Sequence, residues 1–70
     1  MKPLELLEQS LQKRVLVELK GGHSFRGVLE AYDQHLNLIL SHAEEVVGEQ
    51  VTPHAGLTLL RGDSVVFISP

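Results

Sequence analysis

The chain has 70 residues, 43% of them hydrophobic, a formal net charge of −3 and no cysteine. A domain this small buries only about 60% of its unfolded surface, so a lone copy has a thin margin of stability and a second chain would widen it. The composition excludes a disulfide framework and a thiolate metal site. It also excludes membrane and export readings, leaving a soluble cytoplasmic protein, and any binding of nucleic acid that works mainly by neutralising phosphates.

PLELLEQSL, residues 3–11, spaces Leu4, Leu7 and Leu11 along one face of a helix, with Pro3 in the first turn and Glu5 near its positive end. Two to three turns are marginal alone, so the leucine stripe needs a surface to lie on. RVLVELK, residues 14–20, alternates Val15, Val17 and Leu19 against Leu16, Glu18 and Lys20, and Gly21-Gly22 then supplies a tight hairpin. HSFRGVLEAYD returns with Phe25, Gly27, Leu29 and Ala31 on one face and Arg26, Val28, Glu30 and Tyr32 on the other. A glycine inside a strand marks a sharp bend or a close backbone approach.

NLILSHAEEVV, residues 37–47, reads as a third strand, and GEQVTPHAG, residues 48–56, as a loop or frayed hairpin tip, because Pro53 cannot donate to a ladder. LTLLRGDSVVFISP, residues 57–70, gives two strands around Arg61-Gly62-Asp63-Ser64. The expected fold is mostly β and a single domain over residues 1–70. A short N-terminal helix, 3–11, leads over residues 14–70 into a five-stranded, strongly bent antiparallel sheet forming a small open barrel.

Val65, Val66, Phe67 and Ile68 are apolar on both faces of their strand, as are Leu59 and Leu60 in the strand before. A strand of a lone antiparallel sheet usually keeps one wet face, and open apolar edges are templates for association. Either the helix covers this excess or another subunit does, and in the second case Leu59, Leu60, Val65 and Phe67 are the expected subunit contacts.

Two polar interruptions break this apolar pattern: Asp33, His35 and Asn37 between the second and third strands, and Arg61, Gly62 and Asp63 between the fourth and fifth. Each sits where one strand ends and the next begins, and two such loops can be neighbours in a barrel although distant in sequence. The six basic residues, Lys2, Lys13, Arg14, Lys20, Arg26 and Arg61, are dispersed, so any nucleic-acid site must be local and built from geometry.

FRGVLEAYDQHLNLIL and LLRGDSVVFI, taken together, resemble the two motifs of the Sm and Sm-like (Lsm) family, most closely its archaeal members. The first motif is carried by Phe25, Gly27, Leu29, Asp33, Asn37, Leu38 and Leu40, the second by Arg61, Gly62 and Asp63, and the resemblance spans nearly the whole chain. It implies an Sm-like fold whose fourth strand pairs with a neighbour's fifth, closing a ring, in archaeal members usually of seven. It also implies uridine-rich single-stranded RNA bound around the pore, a role in RNA processing or ribonucleoprotein assembly, and other RNA-processing proteins as partners. His35 and Arg61 would sandwich a base and Asn37 would read its edge, and an imidazole, a guanidinium and an amide suit those tasks. Asp33 would hold its loop by accepting backbone N–H groups, Asp63 would orient Asn37 or Arg61, and Gly62 would supply a backbone conformation. The second motif lacks the lysine and histidine of the bacterial host-factor branch, so a hexamer of that type is not expected.

Without the family, His35 is an ordinary loop histidine, Asn37 a turn cap, and Arg61 beside Asp63 a surface ion pair of little worth. His23, His35, His42 and His54 form no recognised ligand spacing, so no metal or other cofactor is expected. Asp33, His35 and Ser41 offer no nucleophile elbow and no carboxylates are clearly paired, so no enzyme is expected. The rival reading is an oligomeric scaffold or protein-interaction ring with weak or no RNA readout. A monomeric OB-type binder is poorly supplied, since such folds stack bases on aromatics and only Phe25, Tyr32 and Phe67 are present.

Overall fold

A computed structural model describes all of residues 1–70. Helix α1 covers Pro3–Ser10 and is followed by β1 Arg14–Leu19, β2 His23–Tyr32, β3 Leu38–Val47, β4 Gln50–Leu60 and β5 Val65–Ser69, with a 3-10 turn at Gly62–Ser64. Every strand pairing is antiparallel and the sheet order is β4-β3-β2-β1-β5. Strands adjacent in sequence are adjacent in space until β5, which crosses back to β1. The sheet thereby curls on itself and leaves one unpaired edge on β4 and another on β5.

Alternation decides what lies inside. Val15, Val17 and Leu19 of β1 are buried, as expected, together with Phe25 and Leu29 of β2, Leu38, Leu40 and Ala43 of β3, Leu60 of β4 and Leu7 of the helix. Leu11 and Tyr32 pack against this cluster from its margin. The long strands bend where the ladder slips. The β2–β3 register shifts between Arg26 and Val28 and again between Leu29 and Ala31, and the β3–β4 register shifts between Ser41 and Ala43. At the first shift a Cβ on Gly27 would lie 2.8 Å from the Ser41 carbonyl oxygen and 3.1 Å from the Ala43 Cα, so only glycine lets the strands close there. Bulges of this kind turn a flat ribbon into a barrel wall.

The structure revises the reading of several residues. Residues 50–56 are not a loop: Gly48 and Glu49 alone make the turn, and β4 begins at Gln50 and carries Pro53 opposite Glu44. Proline is tolerated because β4 is an edge, where one side of the strand needs no partner. Ala31 is exposed, since the shift after Leu29 breaks the alternation that assigned it inward. Leu4 stays 46% exposed, so the helix contributes Leu7 and Leu11 rather than a full stripe. Leu60 is 5% exposed and belongs to the core of its own chain, which removes it from the expected subunit contacts. Val65 is partly buried against that core, whereas Leu59 and Phe67 are open to solvent at 65% and 50%.

Candidate nucleic-acid interface

The β2–β3 connection is a tight turn organised by one carboxylate. The Leu36 N–H donates to the Asp33 carbonyl at 3.0 Å and the Asp33 N–H to the Asn37 carbonyl at 3.2 Å. Asp33 Oδ1 accepts the backbone N–H groups of His35 at 2.9 Å and Asn37 at 3.1 Å, while Oδ2 accepts the Asn37 side-chain amide at 3.0 Å. The loop-holding role expected of Asp33 is thus present in its geometry. The Asn37 amide and, further, these backbone donors hold the Asp33 carboxyl below the usual carboxylate range, against the opposing effect of desolvation. Leu36 takes φ 63°, a left-handed conformation costing a branched L-residue roughly 1–2 kcal/mol, and the Asp33 bonds on either side hold it there.

The second loop meets the first through Asn37 and Gly62. The Gly62 N–H donates to Asn37 Oδ1 at 2.8 Å. A Cβ on Gly62 would overlap the His35 carbonyl oxygen, so residue 62 is glycine because the loops touch backbone to backbone. Its φ lies outside the left-handed region, which corrects the expectation of a special backbone conformation. Asp63 pairs with Arg61 at 2.9 Å and makes no bond to Asn37, which is oriented by Asp33 instead. That pair is 76% and 63% exposed and is worth little as a stabilising contact, but it sets the direction of the guanidinium.

His35, Asn37 and Arg61 therefore stand on two fused loops at one end of the sheet. Arg14 and Arg26, by contrast, are drawn to Glu44 at 3.6 and 3.0 Å, away from the loops. A hollow of about 170 Å³ beside the site is lined by Tyr32, Asp33, Asn37 and Leu59, with neither His35 nor Arg61 in its wall. The His35 and Arg61 side chains are both exposed to solvent. Sequence reasoning named these residues but missed two features: the pinning of the Asn37 amide from both sides, and the direct backbone contact of the loops. The Gly next to Arg61 was the available signal for the second. No signal in sequence reports the first.

Residues 5–70 match the LSM domain. An snRNP Sm-like protein of Archaeoglobus fulgidus is 49% identical over 69 residues, covering 99% of this chain and 90% of its own length. The Pyrococcus abyssii Sm protein in complex with a uridine heptamer superposes with a TM-score of 0.94 at 46% identity, covering 100% of this chain and 99% of that one. A heptameric archaeal Sm protein superposes with a TM-score of 0.89 at 44% identity, covering 94% and 96% of the two chains.

Proposed function

The chain belongs to the LSM-domain (Sm-like) family, and from that premise we propose that its copies close into a ring, of seven, which binds uridine-rich single-stranded RNA through His35, Asn37 and Arg61. The protein acts by binding rather than catalysis, in cytoplasmic RNA processing or ribonucleoprotein assembly. The ring reading is supported by the apolar, unpaired edges of β4 and β5, and by the heptameric state of a relative 44% identical. The RNA reading is supported by a relative 46% identical that was captured with seven uridines.

The observation that carries base readout is the Asn37 amide. Its oxygen takes the Gly62 N–H and one of its hydrogens goes to Asp33. One hydrogen and one oxygen lone pair remain for a ligand. Rotation by half a turn would set oxygen against an acceptor-only carboxylate and nitrogen against a donor-only N–H, so the orientation is fixed. A uracil held flat between His35 and Arg61 offers O4 and N3–H to that edge. Cytosine in the same place offers N4–H and a bare N3, the reverse order. The site therefore discriminates between pyrimidines by which way an amide faces, and it rejects the wrong one by leaving polar groups unpaired.

The test is titration of oligo-U, oligo-C and oligo-A at matched salt with the intact ring and with Asn37→Ala. Oligo-U should bind tightest, and Asn37→Ala should erase most of that preference, about tenfold for a two-bond contact worth about 1–3 kcal/mol. Arg61→Ala should weaken all three, because a guanidinium also stacks and meets phosphate. Equal affinities unaffected by either substitution would sink base readout and leave a scaffold ring.

A further inference from the structure

At the other end of the curled sheet three strands converge on a second polar cluster. Glu45 of β3 lies opposite Phe25 in the β2–β3 ladder and opposite Thr52 in the β3–β4 ladder. Its Oε2 is 2.9 Å from His23 Nδ1, at the start of β2, and its Oε1 is 3.2 Å from His54 Nε2, on β4. The Phe25 ring lies against both imidazoles, with centroids 6.1 Å from His23 and 5.4 Å from His54. One carboxylate thus ties both flanking strands together over the rim of the core. His54 stands two residues before Gly56, which takes φ 72° next to the β3–β4 register shift. The stretch of β4 that the cluster holds, residues 50–55, is the part beyond this kink.

We infer that Glu45 is an acid-released clasp: ionised, it holds residues 50–55 of β4 to β2 through His54 and His23 together, and protonated, it lets that half of the edge strand go. The protonation of either histidine does not open it, because each imidazole donates to the carboxylate as a neutral tautomer and as a cation alike. Loss of the carboxylate charge does, since it removes one of two acceptor oxygens and the charge that both ring N–H groups face. No other ionisable group competes for the position. From β1 the residue opposite His23 is the buried Leu19, from β4 the residue opposite Glu45 is Thr52, and Arg14 and Arg26 are engaged by Glu44. Hydrogen bonds from His23 and then His54 hold the Glu45 carboxyl below its ordinary range. A depressed carboxyl contributes stability above its unfolded value, about pH 4.5, and that contribution is lost as pH falls through the folded value. Resting on the ring reading above, release of the clasp misdirects the β4 edge and loosens the assembly in acid.

Hydrogen exchange of wild type and Glu45→Gln at pH 7 tests the clasp directly. Amides of residues 50–55 should exchange about fivefold faster in the variant, with 57–60 unchanged, a size expected of two half-exposed pairs. His54→Phe keeps a ring on Phe25 but no donor, and should speed the same amides. Imidazole nitrogen shifts in NMR should report His23 as the Nδ1–H tautomer and His54 as the Nε2–H tautomer above pH 8. The gap in thermal midpoint between wild type and Glu45→Gln should be full at pH 7 and should narrow only as pH falls below about 4.5. Identical exchange in 50–55, or a gap already lost between pH 7 and 5, overturns the clasp. Native mass spectrometry separates it from the ring: no ring at pH 7 in wild type defeats assembly and leaves the exchange result standing, whereas equal acid dissociation of both rings defeats the coupling.

Discussion

A methyl group at position 62 is the smallest change that should part the two loops. Gly62→Ala places a carbon on the His35 carbonyl, and since the backbone there is unstrained, any loss reports the contact alone. Overpacking of this kind costs about 1–3 kcal/mol, and the expected results are a lower unfolding temperature and oligo-U affinity reduced at least tenfold or so, about 1.4 kcal/mol. Asp33→Ala works differently, by freeing the Asn37 amide to turn: discrimination between oligo-U and oligo-C should collapse by more than total affinity does. The same carboxylate fixes an acid limit. Its lowered pKa means that the support it gives the loop is complete above its unfolded value, near pH 3.8, and is lost as pH falls through the still lower folded value. Fluorescence anisotropy should show that the share of uridine preference owed to Asp33 is constant from pH 8 to 5 and fails only in strong acid; a loss centred near neutrality would rule Asp33 out as the support.

Neighbouring apolar residues on the edge strands have opposite assignments, and substitution should separate them. Leu60→Ala cuts into the core and should cost about 2–5 kcal/mol in chemical unfolding. Phe67→Glu should barely move monomer unfolding but disperse the ring in analytical ultracentrifugation, because an unpaired charge in a desolvated contact costs about 3–5 kcal/mol. If Phe67→Glu leaves the sedimentation unchanged, β5 is not the joining edge. The contrast also marks what was legible in the sequence. The helix, β1, β2, β3 and the turn at Gly62–Ser64 announce themselves by period and by glycine, within a residue or so. Inward and outward assignments hold for Val15, Val17 and Leu19, where the β1–β2 ladder is regular. They fail at Ala31, because the register shift after Leu29 reverses facing and leaves no mark in the local pattern. Pro53 hid the first half of β4, and with that half unseen nothing could bring His54 to Glu45. The loop residues were legible through the paired motifs, but hydrogen-bond partners such as Gly62 N–H to Asn37 depend on contacts 25 residues apart in sequence.

For the whole molecule, weak and equivalent sites should add through effective concentration. A heptauridine should bind far more tightly than a mononucleotide, by more than about a hundredfold, and calorimetry of U1 through U7 measures the gain. With a net charge of −3 the salt dependence should be shallow, a slope set by the few phosphates that reach Arg61 rather than by a basic surface. An affinity that does not grow with length would mean that the sites cannot be spanned by one strand. The two open edges, on β4 and β5, lie at opposite ends of the sheet order and are different surfaces, so copies joined through them would meet head to tail rather than face to face. Such a joint closes only when the turn made by each copy divides a full circle evenly; otherwise the series climbs into an open spiral without end. The angle between the edges is set by the curl of the sheet, and one contributor to it is the close approach of β2 to Ser41 and Ala43 that Gly27 allows. A side chain at Gly27 would therefore change the wedge between joined copies, and a change of a few degrees, repeated around the circle, is the difference between a finite particle and a fibre.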